Sequence, residues 1–298
     1  MLWIVSLFVV YLLVLLAIAW ISLHPFRIPT YLSPGSIGAT QENIEFESDG
    51  NLLRGWWLSA EDSQAVMIFA HGYMMNKCEF TPNAVHWWKL GMSGLLFDHR
   101  AHGHSSGKTC GFGTHEKVDI VTAVKIAREK KPGARIILVG SSMGSAAIVF
   151  ALSENPGLAD LLILDSCYSR LASASLGWWR FLGGNGLALL LSPTVLLAAP
   201  FAGFNPFKVD VAKALQGLTA TPILFLHGNR DSLALPSEAE RNIAAHEGQH
   251  TVVWFDGCGH SEARWIQPDK YQTVIAQFLI ENGVQLASRD THGTNSSL

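Results

Sequence analysis

A serine, an aspartate and a histidine occur in chain order in this sequence, and each follows a short apolar run. Ser142 is the centre of G-S-S-M-G, which follows the run at Ile136–Val139. Asp231 and His260 follow two further apolar runs, in the segments H-G-N-R-D and D-G-C-G-H. A serine hydroxyl becomes an effective nucleophile when a histidine takes its proton and an acid orients that histidine. These residue types therefore suit attack on an acyl carbonyl, provided that the fold brings them together.

The segment around Ser142 predicts the sharp turn that such a nucleophile needs. Ile136–Val139 is continuous, apolar and rich in β-branched residues, which is typical of a strand buried on both faces. The apolar stretch at Ala146–Leu152 predicts a buried helix. Strand, G-x-S-x-G turn and helix together form a nucleophile elbow, and an ordinary glycine–serine turn is the alternative. Ser105 is also the centre of a G-x-S-x-G pattern, but no strand directly precedes it.

The rest of the chain alternates strand-like runs with helical patterns. Strands are predicted at 65–70, 94–97, 136–139, 161–164, 223–226 and 252–255, and helices at 83–90, 118–131, 146–152 and 271–280. An antiparallel hairpin is predicted before them, because Asp49-Gly50 interrupts an extended pattern over 44–59. This alternation predicts an α/β fold, with a mostly parallel central sheet and helices on both faces.

A long insertion separates the predicted strand at 161–164 from the one at 223–226. Its part from about 169 to 207 is apolar and rich in aromatic residues, and Pro193 and Pro200 interrupt it. A second transmembrane span is the alternative, but the apolar stretch is too short for one. We therefore expect a helical cap over the carboxyl edge of the sheet, which lines an acyl pocket or contacts the bilayer.

The N-terminal stretch 1–23 has no charged residue and is long enough to span a bilayer. A cleaved signal peptide is the alternative, since Ala17-Ile18-Ala19 resembles a cleavage site, but no basic residue precedes the apolar run. The sequence therefore predicts a single-pass membrane protein, with an anchor at 1–23 and a linker at 24–41. Arg27 follows the anchor and favours a cytoplasmic location for the domain beyond it.

Composition limits the remaining classes of protein. The chain has 298 residues, of which 49% are hydrophobic, and its formal net charge of −3 gives no reason to expect nucleic acid as a partner. One large domain is predicted at 42–287, followed by a polar tail at 288–298. The four cysteines have no C-x-x-C spacing, so we expect reduced thiols rather than disulfides or a zinc ribbon.

Five motifs, in this order, give the sequence a specific resemblance to a known family. They are H-G-Y at 71–73, D-H-R-A-H-G-H-S at 98–105, G-S-S-M-G at 140–144, H-G-N-R-D at 227–231 and G-C-G-H at 257–260. With them the chain resembles the α/β-hydrolase superfamily over residues 42–282, and in particular its membrane-anchored serine hydrolases. Ala101 departs from the family pattern, which usually has glycine there, and this departure concerns loop shape rather than chemistry.

The resemblance implies the α/β-hydrolase fold and a serine hydrolase. We therefore expect carboxylic esters or thioesters to be cleaved through an acyl-enzyme, and the apolar insertion at about 169–207 favours substrates with an apolar acyl chain. Ser142 is the implied nucleophile, Asp231 the orienting acid and His260 the general base, and the backbone N–H groups of Tyr73 and Met143 form the implied oxyanion hole. The expected partners are the acyl substrate and the membrane, and neither a cofactor nor a metal is expected.

Several alternatives remain open from the sequence. Asp165 and Asp256 also follow predicted strands and could supply the acid. A metal-dependent hydrolase could use the histidines of the 98–105 motif, since imidazole is the commonest metal ligand; these are His99, His102 and His104. The same serine, histidine and acid could also serve an acyltransferase, and a non-catalytic binding protein could keep the fold.

Overall fold

An eight-stranded sheet forms the centre of the computed structural model, which describes residues 2–287. The strands are β1 (Glu42–Ser48), β2 (Asn51–Leu58), β3 (Ala65–Ala70), β4 (Ser93–Phe97), β5 (Arg135–Ser141), β6 (Leu161–Asp165), β7 (Ile223–Gly228) and β8 (His250–Phe255). Their spatial order is β1-β2-β4-β3-β5-β6-β7-β8. β2 runs antiparallel to both of its neighbours, and all other pairs are parallel. The predicted hairpin and mostly parallel sheet are confirmed, whereas the polar tail predicted at 288–298 lies outside the described residues.

Helices cover both faces of the sheet. They are α1 (Leu2–Leu23), α2 (Thr81–Lys89), α3 (Glu116–Lys130), α4 (Met143–Glu154), α5 (Leu171–Leu191), α6 (Pro193–Ala202), α7 (Val211–Leu215), α8 (Pro236–Ala245), α9 (Ala263–Ile266) and α10 (Pro268–Glu281). Apolar side chains of α2, α9 and α10 pack on one face, and those of α3, α4, α7 and α8 on the other. In β3, Val66 and Ile68 face α3 and α4, whereas Met67 and Phe69 face the opposite layer. β3 reads as a continuous apolar run because both of its faces are covered.

Helices α5 and α6 lie between β6 and β7 in the chain, where the sequence predicts a cap. α5 is kinked at Gly183 and Gly184, and the φ of 75° at Gly184 is one that glycine adopts without strain. α5 and α6 then meet at a bend of 80°. A Cβ atom on Gly177 of α5 would lie 1.9 Å from the carbonyl oxygen of Leu233, so only glycine allows the helix to approach the loop after β7 so closely.

Helix α1 is the apolar N-terminal helix that the sequence predicts, and it is long and apolar enough to cross a membrane. A signal sequence can pass the same test of length and composition, so the contacts of the helix with the domain are more informative. Residues 2–10 are exposed, whereas Leu15, Ala19 and Leu23 are buried at intervals of four residues. This spacing places one stripe of α1 against the domain, where the helix packs on α6.

Candidate active site

Ser142 lies between the end of β5 and the start of α4, with a φ of 51° and a ψ of −111°. Residues with side chains rarely adopt such a conformation, so the backbone at Ser142 is strained. Both glycines of the motif are needed for the turn. A Cβ atom on Gly144 would lie 2.1 Å from the carbonyl oxygen of Ala70, and one on Gly140 would lie 2.5 Å from the amide nitrogen of Ser145. The structure thus has a strand, a strained turn and a helix around Ser142, at the carboxyl edge of the sheet.

The imidazole of His260 is hydrogen-bonded to a buried carboxylate. Its Nδ1 lies 2.7 Å from Oδ2 of Asp231, whose Oδ1 accepts hydrogen bonds from the N–H groups of Leu233 and Ala234 at 2.9 and 2.8 Å. A carboxylate only accepts hydrogen bonds, so Nδ1 of His260 carries a proton and Nε2 is left free to take one. His227 lies 3.6 Å from the same Oδ2, but it bonds to the carbonyl oxygen of Ala234, and burial lowers its pKa.

The two alternative acids have other partners. Asp165 accepts hydrogen bonds from the hydroxyl groups of Tyr271 and Ser166 at 3.1 and 3.0 Å, and burial raises the pKa of its carboxyl group. Asp256 is exposed and accepts a hydrogen bond from the side-chain amide of Asn229 at 2.9 Å. Within residues 2–287, Asp231 is therefore the acid that hydrogen-bonds to His260.

The loop after β3, which contains Tyr73, is fixed by hydrogen bonds on both sides of Gly72. The Gly72 N–H donates to Oε2 of Glu79 at 2.7 Å, and Nδ1 of His71 donates to the Gly72 carbonyl oxygen at 2.8 Å. Nε2 of His71 accepts from the N–H of His99 at 3.0 Å, so this imidazole is neutral, and burial lowers its pKa. No acceptor among the described residues binds the N–H of Tyr73, which leaves that N–H available to a substrate oxygen.

A cavity of about 500 Å³ adjoins Ser142 and His260. This volume lies within the usual range of small-molecule pockets. Four of the predicted site residues line the cavity, and the fifth, Asp231, is the hydrogen-bond partner of His260; the four are Tyr73, Ser142, Met143 and His260. Apolar side chains of α5 and α6 form much of the remaining wall, among them Trp178, Trp179, Phe181 and Val195. The arrangement can hold an apolar group beside a serine, a histidine and the N-terminus of α4.

A buried ion pair beneath the site was missed by the sequence reasoning. Nη2 of Arg264 lies 2.6 Å from Oε1 of Glu79 and donates to Oγ of Ser141 at 2.9 Å. Nη1 lies 3.6 Å from Oδ2 of Asp165, and the guanidinium group stacks over the ring of Phe80. No short motif contains this pair, because Glu79 and Arg264 are 185 residues apart. Glu79 connects the pair to the N–H of Gly72 and so to the loop that contains Tyr73.

The histidines considered as metal ligands have different surroundings. His99 and His102 are buried, whereas His104 is exposed. The carboxylate nearest to His99, that of Asp119 at 3.7 Å, already forms an ion pair with Arg100 at 2.8 Å. Burial lowers the pKa of His102. Across the described residues, no group of three or more His, Cys, Asp or Glu side chains could hold a metal ion.

The loop at 98–107 is built around Asp98. Its carboxylate accepts hydrogen bonds from Nζ and the backbone N–H of Lys77 at 2.5 and 2.8 Å, and from the N–H of His104 at 2.8 Å. The hydroxyl of Ser105 donates to the Asp98 carbonyl oxygen at 2.6 Å, so the serine of the second G-x-S-x-G pattern stabilises the turn. Ala101 has a φ of 62°, in the region that favours glycine, and this is the position where the family usually has glycine.

The sequence has relatives among characterised and uncharacterised proteins. The hydrolase family described as serine aminopeptidase, S33, matches residues 61–198. An uncharacterised protein of Bacillus subtilis, YqkD, is 25% identical over 238 residues, which cover 76% of this chain and 75% of the relative. A monoacylglycerol lipase of Mycolicibacterium smegmatis is 26% identical over 253 residues, which cover 73% of this chain and 90% of the relative.

Solved structures share the same architecture. The esterase Pf2001 of Pyrococcus furiosus superposes with a TM-score of 0.72, at 23% identity, over 88% of this chain and 98% of the esterase. The hydrolase GrgF of a Penicillium species superposes with a TM-score of 0.67, at 17% identity, over 82% of this chain and 99% of that protein. At these identities the likeness shows the fold.

Proposed function

We infer that this chain, which belongs to the α/β-hydrolase superfamily, is a serine hydrolase that cleaves carboxylic esters or thioesters of apolar acyl groups. The hydrogen bond from His260 to the buried carboxylate of Asp231, beside a cavity that Ser142 also lines, carries this inference. The strained backbone at Ser142 supports it, since such strain collects at functional sites. A relative named as a lipase and a structural neighbour named as an esterase favour an ester as the substrate.

In the first half of the proposed reaction, Oγ of Ser142 attacks the acyl carbonyl carbon while Nε2 of His260 takes the hydroxyl proton. The carbonyl oxygen becomes an oxyanion, and it is stabilised by the N–H groups of Tyr73 and Met143. Met143 is the first residue of α4, where N–H groups have no partner within the helix. The bond to the alcohol or thiol then breaks, and His260 gives its proton to the leaving group.

In the second half, a water molecule attacks the acyl-enzyme. His260 takes a proton from the water and returns one to Oγ of Ser142 as the carboxylic acid leaves. Asp231 remains ionised throughout; it holds the imidazole in the tautomer with a proton on Nδ1 and stabilises the imidazolium that forms. An acceptor other than water would make the protein an acyltransferase, but the lipase and the esterase among its relatives favour hydrolysis.

A fluorophosphonate probe tests the proposed nucleophile directly. We expect the full-length wild-type protein to be labelled at Ser142, because the probe reacts with a serine that a neighbouring histidine activates. The Ser142→Ala variant should stay unlabelled. Mass spectrometry of the labelled peptide identifies the site. Folded wild-type protein that stays unlabelled, under conditions in which another serine hydrolase reacts, would contradict the proposed function.

We also propose that α1 is an uncleaved membrane anchor. Cleavage after Ala19 would remove Leu15 and Ala19, two buried residues of the stripe that faces the domain. The full-length protein is therefore expected to remain in the membrane pellet after extraction with high salt and with alkaline carbonate. Release into the supernatant, or a mature N-terminus at Trp20, would contradict the anchor. The cytoplasmic location of the domain stays a prediction from Arg27.

A further inference from the structure

The segment that follows α1 is bound to the domain rather than free to swing. The guanidinium group of Arg27 donates hydrogen bonds to four carbonyl groups of the 98–107 loop; these belong to His102, Gly103, Ser105 and Gly107. The side-chain amide of Asn76 donates to the carbonyl oxygens of Ile28 and Pro29 at 2.9 and 3.1 Å. The sequence of this segment predicts a linker, but these contacts hold it against the domain. They therefore fix the direction in which α1 leaves the domain.

Helix α1 is itself attached to the domain from Tyr11 to its C-terminal end. The hydroxyl of Tyr11 donates to the carbonyl oxygen of Leu190 in α5 at 2.5 Å, and the N–H of Cys110 donates to the carbonyl oxygen of Leu23 at 2.8 Å. Helix α1 also packs on α6, and Leu15 and Ala19, which lie between these two points, are buried. The helix therefore has a defined position relative to the cap.

The last turns of α1 reach the candidate active site. Ala19, Ser22 and Leu23 line the cavity together with Ser142, and Val195 and Ala198 of α6 line it as well. The hydroxyl of Tyr73, whose N–H is a proposed oxyanion donor, donates to the carbonyl oxygen of Ser22 at 2.9 Å. Helix α1 thus contributes to the apolar wall of the cavity and contacts the loop that contains Tyr73.

On the basis of the proposed function, we propose that α1 is part of the substrate site, and that Ala19 limits the length of the acyl chain that the cavity accepts. Helix α1 contacts both α5 and α6, and all three helices expose apolar side chains, which include Leu13, Phe181, Leu190 and Leu196. An ester dissolved in the bilayer then binds with its acyl chain against the inner face of the helix that anchors the enzyme. Ala19 is a specificity-determining residue in this arrangement.

Two alanines of α1 give a matched pair of variants. Ala19 is 1% exposed and lines the cavity, whereas Ala17 is exposed and is not among the lining residues. Both positions are helical, so Ala19→Leu and Ala17→Leu have equal intrinsic effects on the helix. The measurement is kcat/KM of the full-length protein in detergent for 4-nitrophenyl esters from acetyl to dodecanoyl, each below its micelle-forming concentration.

The wild-type protein is expected to prefer esters of medium or long acyl chains to acetyl esters, since each additional buried methylene group should raise kcat/KM by about fourfold. Ala17→Leu should reproduce this profile. The larger side chain of Ala19→Leu fills part of the cavity, so we expect the highest kcat/KM of this variant to occur at a shorter acyl chain. Its kcat/KM for dodecanoyl relative to acetyl should fall by about sixteenfold, the equivalent of two lost methylene groups.

Ala19→Gly provides the opposite test if the larger side chain prevents folding. The highest kcat/KM of this variant should occur at a longer acyl chain. Ala17→Gly is the control for the low helix propensity of glycine. Equal profiles in the Ala19 and Ala17 variants, or a uniform loss at all chain lengths, would overturn the role of α1. Wild-type protein that neither reacts with a fluorophosphonate nor hydrolyses any of these esters would instead overturn the proposed function.

Discussion

Replacement of Ser142 or of His260 by alanine is expected to lower kcat/KM for ester hydrolysis by about 10³-fold or more. Without Oγ of Ser142 there is no nucleophile, and without His260 that hydroxyl keeps its proton at neutral pH. Asp231→Asn should have a severe effect too, because an amide can donate to Nδ1 of His260 and so favour the wrong tautomer. Initial rates with a medium-chain ester, for variants with unchanged unfolding temperature, provide the measurement.

The double variant Ser142→Ala/His260→Ala separates residues that act as a unit from residues that act independently. As a unit, the pair should lose little more activity than Ser142→Ala alone. Ser105→Ala is the matched control, since Ser105 is the centre of the other G-x-S-x-G pattern and bonds to the Asp98 carbonyl group. This variant should lose stability but keep its turnover. Turnover near the wild-type value in His260→Ala would remove His260 from the mechanism.

Replacement of Arg264 by methionine is expected to lower the free energy of unfolding by about 3 to 5 kcal/mol. Both side chains of the Arg264–Glu79 pair are almost fully buried, at 1% and 4% exposure. Removal of the guanidinium group leaves the carboxylates of Glu79 and Asp165 without their cation in a region of low dielectric constant. Glu79 also binds the N–H of Gly72, so kcat should fall together with stability. Chemical denaturation of the purified protein, together with initial rates, measures both effects.

Arg54→Met is the control for the loss of an ion pair as such. Arg54 lies 2.8 Å from Glu45, a similar distance, but both side chains are about half exposed, at 47% and 55%. An exposed pair contributes at most about 1 kcal/mol, so this variant should be close to the wild type in stability. Addition of Glu79→Gln to Arg264→Met should restore part of the lost stability, because a neutral amide then replaces one of the two buried carboxylates that lost their cation. Equal losses in Arg264→Met and Arg54→Met would contradict the special role of the buried pair.

The sequence alone predicted the α/β-hydrolase fold, and the prediction is confirmed. Parallel strands are buried on both faces, so runs such as Ile136–Val139 are continuously apolar and easily recognised. The helices of the cap are less easily recognised, because Pro193 and the glycines near it interrupt the apolar pattern. The 80° bend after α5 and the close contact at Gly177 depend on packing against other parts of the chain, which local composition does not encode.

For the candidate site, the sequence determined which residue types follow which strands, and with the family resemblance it identified Ser142, His260 and Asp231, with Asp165 and Asp256 as alternative acids. The G-x-S-x-G pattern is local, because the close approach of strand and helix requires glycines at fixed spacing. Only the tertiary structure places Asp231 against His260 and gives Asp165 and Asp256 other partners. The catalytic roles of these residues stay predictions.

Two features were decided by the tertiary structure alone. The ion pair of Glu79 and Arg264 joins segments 185 residues apart, and each charge is stable in the interior only because the other is there. The sequence of α1 reads as a membrane span, since every residue in it is apolar or uncharged. Its inner stripe, which includes Ala19, becomes a wall of the cavity only when α6 and the loop after β3 pack beside it. A local pattern records the hydrophobicity of a segment, whereas its packing partners come from distant parts of the chain.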